Sequence, residues 1–108
     1  MRLYSLALVE VLRCALPNTK SAKKMMRVSE RKRERNKPVR TRARTLVTRT
    51  EQLIAAARLD EAAQTATQAE SALARAAQKG VVHQNNAARR TSRLMHKLNS
   101  ARSETAPQ

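Results

Sequence analysis

Gly80 is the only glycine among 108 residues, and Pro17, Pro38 and Pro107 are the only prolines. Glycine and proline supply most of the backbone geometries that reverse a chain tightly. With so few of them there are few turns, which argues against strands joined by hairpins. The chain must run in a small number of long elements, and the spacing of its apolar residues says which kind.

Val39, Ala43, Leu46, Val47, Leu53, Ile54 and Ala57 recur at intervals of three, four and seven, which places them on one face of a helix. Ser21 is read as the N-cap of this helix, with Ala22, Lys23 and Lys24 in its first turn. A single helix over residues 21–57 is roughly 55 Å long at about 1.5 Å per residue. Pro38 interrupts it. Either the proline sits inside and deletes the hydrogen bond to the Glu34 carbonyl, or a new helix begins near Asn36 with Pro38 in its first turn.

Asp60 is read as the next N-cap, followed by an alanine-rich stripe of Ala62, Ala66, Ala69, Leu73, Ala76 and Ala77. Lys79-Gly80 reads as the stop of this helix, with Val81 covering Ala76. A third helix turns Ala87, Thr91, Leu94, Met95 and Leu98 inward and carries Arg89, Arg90, Arg93 and Lys97 on its other faces. Residues 103–108 are polar and contain Pro107, so a disordered tail is expected. The fold class is all-α: a three-helix bundle with a long basic N-terminal helix. A core made mostly of alanine buries little area per residue, so the isolated bundle has modest stability and a partner completes it.

Charge identifies the kind of partner. Residues 19–50 hold thirteen basic side chains against Glu30 and Glu34, contributing +11 of the formal +15. Residues 51–79 sum to −1. Like charges along one rod repel, so this asymmetry opposes folding unless a polyanion lies alongside. Nucleic acid fits, because each phosphate neutralised by Lys or Arg also releases condensed counterions. The only aromatic residue is Tyr4, outside the basic region. Readers of single-stranded bases stack them on aromatic rings, so sheet domains of the RNA-recognition and cold-shock kinds are disfavoured. A structured RNA or a DNA duplex remains.

Other chemistries find no support. His83 and His96 are thirteen residues apart with no Cys or carboxylate set beside them, so no zinc site is expected. There is no Ser–His–Asp or Cys–His set, no carboxylate pair in an apolar setting and no glycine-rich phosphate loop, which argues against an enzyme. No cofactor and no small-molecule substrate are implied. Met25 and Met26 are read as packing residues. Cys14, the lone cysteine, has no disulfide partner within the chain, as in a reducing compartment.

Residues 1–18 carry an apolar run broken by Glu10 and Arg13. It is too short and too charged to span a bilayer, and it lacks a clear signal-peptide cleavage site. An organellar presequence is normally richer in Arg and Ser and free of acids.

The motifs then carry a resemblance. PNTKSAKK at residues 17–24 opens it, and Ser29, Glu30, Arg31, Arg35 and Asn36 give the pattern SER…RN. KGVVH at residues 79–83, AARR from Ala87, and SRL…KLN over residues 92–99 complete it. Together they resemble the S-twenty family of bacterial small-subunit ribosomal proteins, from Pro17 to about Ala101. The distal motif is the more specific, since it sets Gly, His, Asn, Ser and Arg at fixed spacings. The resemblance implies a three-helix bundle with a long first helix that binds 16S rRNA directly, beside other small-subunit components. It implies a cytoplasmic ribosome, or the plastid stroma for a chain of plastid origin, and no membrane.

The expected RNA-binding residues are Lys20, Ser21, Lys23, Lys24, Arg27, Arg31, Lys32, Arg33, Arg35, Asn36, Lys37, Arg40 and Arg42 on the first helix. On the distal motif they are His83, Asn85, Arg89, Arg90, Ser92, Arg93 and Lys97. Alternatives stand beside several of these. His83 is a helix-start or an RNA-contact residue. Asn85 and Asn86 cap the third helix or bond ribose and phosphate. Arg89, Arg90 and Arg93 clamp phosphate or balance Glu61 and Glu70.

Two features depart from the family pattern. Pro38 stands where members usually carry another residue, and residues 1–15 have no counterpart. The domain division is therefore an N-terminal extension over 1–16, an RNA-binding domain over 17–102 and a tail over 103–108. A wrongly assigned start explains the extension, with a short targeting sequence as the alternative. Two rivals remain for function: a histone-like nucleoid DNA binder, and a basic amphipathic peptide acting at anionic membranes. The second is weakened because residues 20–37 offer only Ala22, Met25, Met26 and Val28 to insert.

Overall fold

A computed structural model describes residues 18–105, so the expectations for residues 1–16 and 106–108 lie outside the described residues. Three helices follow one another: α1 over Lys20–Ala55, α2 over Leu59–Gln78 and α3 over Gln84–Thr105. Two compact units divide the chain between Glu34 and Arg35.

In the first unit, α1 starts on a side-chain cap. The Ala22 N–H donates to Thr19 Oγ1 at 3.1 Å, and the Lys23 N–H donates to the Thr19 carbonyl at 3.0 Å. Thr19, not Ser21, is therefore the N-cap. The earlier hydroxyl satisfies the orphan N–H and leaves Ser21 inside the first turn, exposed. Among described residues of this unit only Ala22 and Val28 are half-buried. Met25 and Met26 are 59% and 58% exposed, so they are not packing residues here.

The second unit holds the bundle. The helix is continuous through Pro38, which removes the reading in which a new helix begins near Asn36. Its inward face is the one the periodicity predicts. Ala43 is buried, and Val39, Leu46, Val47, Leu53 and Ile54 are half-buried. Thr50 joins them at 0% exposure, and its hydroxyl donates to the Leu46 carbonyl at 2.8 Å. Thr65 on α2 likewise donates to the Glu61 carbonyl at 2.8 Å. Buried hydroxyls that bond back to their own helix leave no unsatisfied group.

Alanine dominates the seam. Ala62, Ala66 and Ala69 pack with Leu94 and Leu98 of α3, and Leu46, Val47, Leu53, Ile54 and Met95 close over them. A second cluster nearer the Gly80 turn joins Ala43 of α1, Ala72 and Leu73 of α2, and Ala87 of α3. Small side chains let the helices approach closely, while Leu73, Leu94 and Leu98 supply most of the hydrophobic stabilisation. Each buried leucine contributes about 1.5–3 kcal/mol.

Both connections use the same device. At the end of α2 the Val81 N–H donates to the Ala76 carbonyl at 3.0 Å and the Gly80 N–H to Ala77 at 3.1 Å, with Gly80 at φ 77°. This is a Schellman turn with glycine in the left-handed position. At the end of α1 the Arg58 N–H donates to the Leu53 carbonyl at 3.0 Å and the Ala57 N–H to Ile54 at 3.1 Å. Ala57, at φ 60°, occupies the left-handed position there.

That second turn corrects the start of α2. Arg58 leaves it at φ −91°, ψ 69° and serves as N-cap without a side-chain bond, so Leu59 already begins the helix. Asp60 lies in the first turn with Glu61, where both face the positive helix end. Glu61 also bonds Arg58. Ala57 is exposed in the turn and is not part of the apolar face. At the other end α3 runs to Thr105, so Ser103, Glu104 and Thr105 are helical where a tail was expected.

Candidate nucleic-acid interface

All thirteen basic residues between Lys20 and Arg49 are exposed. Glu30 and Glu34 are exposed as well and make no ion pair. Among the described residues the only ion pairs are Arg58–Glu61 and Lys97–Glu51. The cations of α1 therefore face solvent without a carboxylate partner, which is an arrangement that stores self-repulsion and attracts polyanions. Asn36 differs from its neighbours in being half-buried.

The distal motif sorts into distinct roles. His83 caps α3: its Nδ1 accepts the Asn85 N–H at 3.1 Å, and its carbonyl accepts the Ala87 N–H at 3.0 Å. Neither Asn85 nor Asn86 is the cap. Asn86 Oδ1 instead accepts from Arg90 Nε at 2.9 Å, one turn along α3. Arg89, Arg90 and Arg93 are exposed, and no ion pair ties them to Glu61 or Glu70. Lys97 is engaged elsewhere, 2.5 Å from Glu51 on α1. Ser92 borders a groove of about 700 Å³ between α2 and α3, shared with Glu70, Ala74, Ala77 and Ala88. That lining mixes alanines with polar side chains and holds no basic residue.

Two basic grooves flank α1 within the bundle. On one side Arg40, Arg44, His83, Asn86 and Arg90 line a groove of about 370 Å³. On the other, Arg42 faces Arg75 and Lys79, with Thr67, Gln68 and Ser71 extending the lining. Sequence reasoning missed Arg44, Arg75 and Lys79. Arg44 had a signal, since it follows Arg40 by four residues and so shares its face. Lys79 had one too, as the first residue of the KGVVH motif, whereas Arg75 had none, because the segment that carries it is acid-balanced as a whole.

Among the described residues no helix is long and apolar enough to cross a membrane, and no group of His, Cys, Asp and Glu is placed to hold a metal ion.

Comparison with known proteins adds the family. Residues 17–99 match the profile described as Ribosomal protein S20. A protein named "Small ribosomal subunit protein bS20" from Dehalococcoides mccartyi is 45% identical over 86 residues, covering 80% of this chain and 98% of that protein. The protein of the same name from Thermomicrobium roseum is 49% identical over 85 residues, covering 79% and 86%. That of Methylocella silvestris is 44% identical over 85 residues, covering 79% and 97%.

Proposed function

The chain belongs to the ribosomal protein S20 family, and from that premise we propose that it is a structural constituent of the small ribosomal subunit that binds 16S rRNA directly. As a member of this family it is a structural protein and not an enzyme. One observation supports the RNA contact above the others. The thirteen basic side chains of α1 are all exposed, and no carboxylate among the described residues neutralises them. Phosphates supply what the protein leaves out. The α1 helix lays its charge along the RNA backbone, and Arg89, Arg90 and Arg93 of α3 add a second set of contacts. With no Phe, Tyr or Trp in residues 18–105, recognition is chiefly by backbone shape and charge.

Two measurements test this reading. A tagged chain is expected to cosediment with small ribosomal subunits. Purified protein is expected to bind folded 16S rRNA fragments more tightly than duplex DNA at matched salt. Equal or tighter binding to DNA, with no entry into subunits, would replace the reading with that of a histone-like nucleoid protein.

A further inference from the structure

We infer that the groove between α1 and the start of α3 is a discrete seat for one backbone phosphodiester of the RNA, gripped jointly by Arg44 and Arg90. This rests on the rRNA-binding reading above and adds to it a fixed site where composition offers only a diffuse field. Three observations separate this groove from the remaining basic surface.

The first is convergence. Arg40 and Arg44 reach it from α1, Arg90 from α3 and His83 from the cap that precedes α3, and no acid lines it. Arg42, Arg75 and Lys79 converge on the other side of α1, but among the described residues no side-chain hydrogen bond orients them. A volume of about 370 Å³ accommodates a phosphate with part of its sugar. The second is orientation before binding. Arg90 Nε is held by Asn86 Oδ1 at 2.9 Å, which leaves its two terminal nitrogens as a free fork. Arg40 donates through Nη2 to the Val81 carbonyl at 3.5 Å, which leans it towards the turn. Guanidinium forks match phosphate oxygens two at a time, and a fork already held loses less freedom on binding. The third is the state of the imidazole. Because His83 Nδ1 accepts the Asn85 N–H, Nε2 is the ring nitrogen left to donate at the groove. The positive end of α3 lies at the same edge and favours an anion there.

A double-mutant cycle on the full chain, read by affinity for a folded 16S rRNA fragment, tests the seat. Arg44→Ala and Arg90→Ala are each expected to weaken binding by about tenfold or more, the loss of a charge-assisted hydrogen bond. Together they are expected to cost clearly less than the product of the single losses, because one phosphate is released once. Losses that simply multiply, as expected for Arg44→Ala with Arg31→Ala, which does not line the groove, would overturn the proposal. Arg44→Lys and Arg90→Lys keep the charge and the fold but remove the fork. They are expected to retain most of each loss, and full recovery by lysine would overturn the seat. Wild-type binding separates the two levels of inference. If the unmodified chain binds no rRNA, the functional reading fails and the seat with it. If it binds and the cycle shows no coupling, only the seat fails. Inorganic phosphate, titrated against the free chain at matched ionic strength, is expected to bind weakly but in preference to chloride, and to lose that preference in Arg44→Ala and Arg90→Ala. Saturable phosphate binding without coupling on RNA would make this an adventitious anion site and overturn the proposal.

Discussion

Lys97 Nζ lies 2.5 Å from Glu51 Oε1, so a cation of the distal motif spans to α1 and is already neutralised within the bundle. Its sequence neighbours Arg89, Arg90 and Arg93 have no such partner. Lys97→Ala is therefore expected to weaken rRNA binding less than Arg89→Ala or Arg93→Ala in the same assay. Both side chains of the pair are half-exposed, at 57% and 42%, so the cost to stability is at most about 1 kcal/mol. A loss of affinity as large as that of Arg93→Ala would show that Lys97 leaves Glu51 for the RNA.

The two Schellman turns make opposite predictions. At Gly80 a Cβ would meet nothing within 4 Å, so the cost of Gly80→Ala comes from the left-handed backbone alone, about 1 kcal/mol. Gly80→Val should cost more because of branching at Cβ. Ala57 already bears that strain at φ 60°, so Ala57→Gly is expected to stabilise the chain, by up to about 1 kcal/mol less the added freedom of the unfolded state. Thermal melts of the three variants decide. A lower melting temperature for Ala57→Gly would show that its turn does not govern stability.

Gly80 was legible because glycine after an apolar stripe announces a helix stop, whereas nothing in Ala56-Ala57-Arg58 announces a turn. Alanine favours helix, yet residue 57 adopts a left-handed conformation between Leu53 and Leu59, which both pack on the core. The same limit misplaced both helix starts. Ser21 and Asp60 carry good capping side chains, but the caps fall on Thr19 and Arg58, two residues earlier in each case. Thr50 escaped notice because a hydroxyl reads as polar, although bonding to Leu46 lets it pass for an apolar residue in the core. By contrast Ala62, Ala66, Ala69, Leu73, Leu94 and Leu98 follow from periodicity alone, since each faces the seam that period selects.

The alanine seam predicts an asymmetry between enlarging and shrinking the core. Ala66 is 0% exposed between facing leucines, so Ala66→Leu must push helices apart and should cost about 1–3 kcal/mol. Leu94→Ala and Leu98→Ala each leave a cavity and should cost about 2–5 kcal/mol, a large share of a small bundle's stability. Denaturant unfolding checks both. A neutral Ala66→Leu would mean the helices can separate without loss.

Binding should be steeply salt-dependent. If roughly six to ten basic side chains meet phosphates, affinity should fall by about 10³–10⁵ between 50 and 200 mM salt, taking the duplex-DNA slope as a guide. Replacing Arg31, Arg33 and Arg35 by alanine should lower affinity and flatten that slope far more than replacing Arg58, which is paired with Glu61. Charge balance alone would place Arg75 with Arg58 as a silent position. The structure places it instead beside Arg42 and Lys79, so Arg75→Ala is expected to weaken binding measurably. A flat salt response would defeat the phosphate-backbone account.

Amide exchange of the free protein should divide the chain near Pro38. Between Lys20 and Lys37 only Ala22, Val28 and Asn36 are even half-buried, so those helical hydrogen bonds have almost no packing to protect them from water. Repulsion among nine cations in that stretch opposes the helix further. Pro38 has no N–H to give the Glu34 carbonyl, which removes one bond where the arm meets the bundle. Protection is therefore expected to be low through residues 20–37 and high at Ala66, Ala69, Leu73 and Leu94, which are buried from all sides. Adding the rRNA fragment should raise protection in the arm by far more than in the bundle, because phosphates screen the repulsion that opposed the helix. Strong protection at residues 31–35 without RNA would mean that the arm is ordered by contacts of its own.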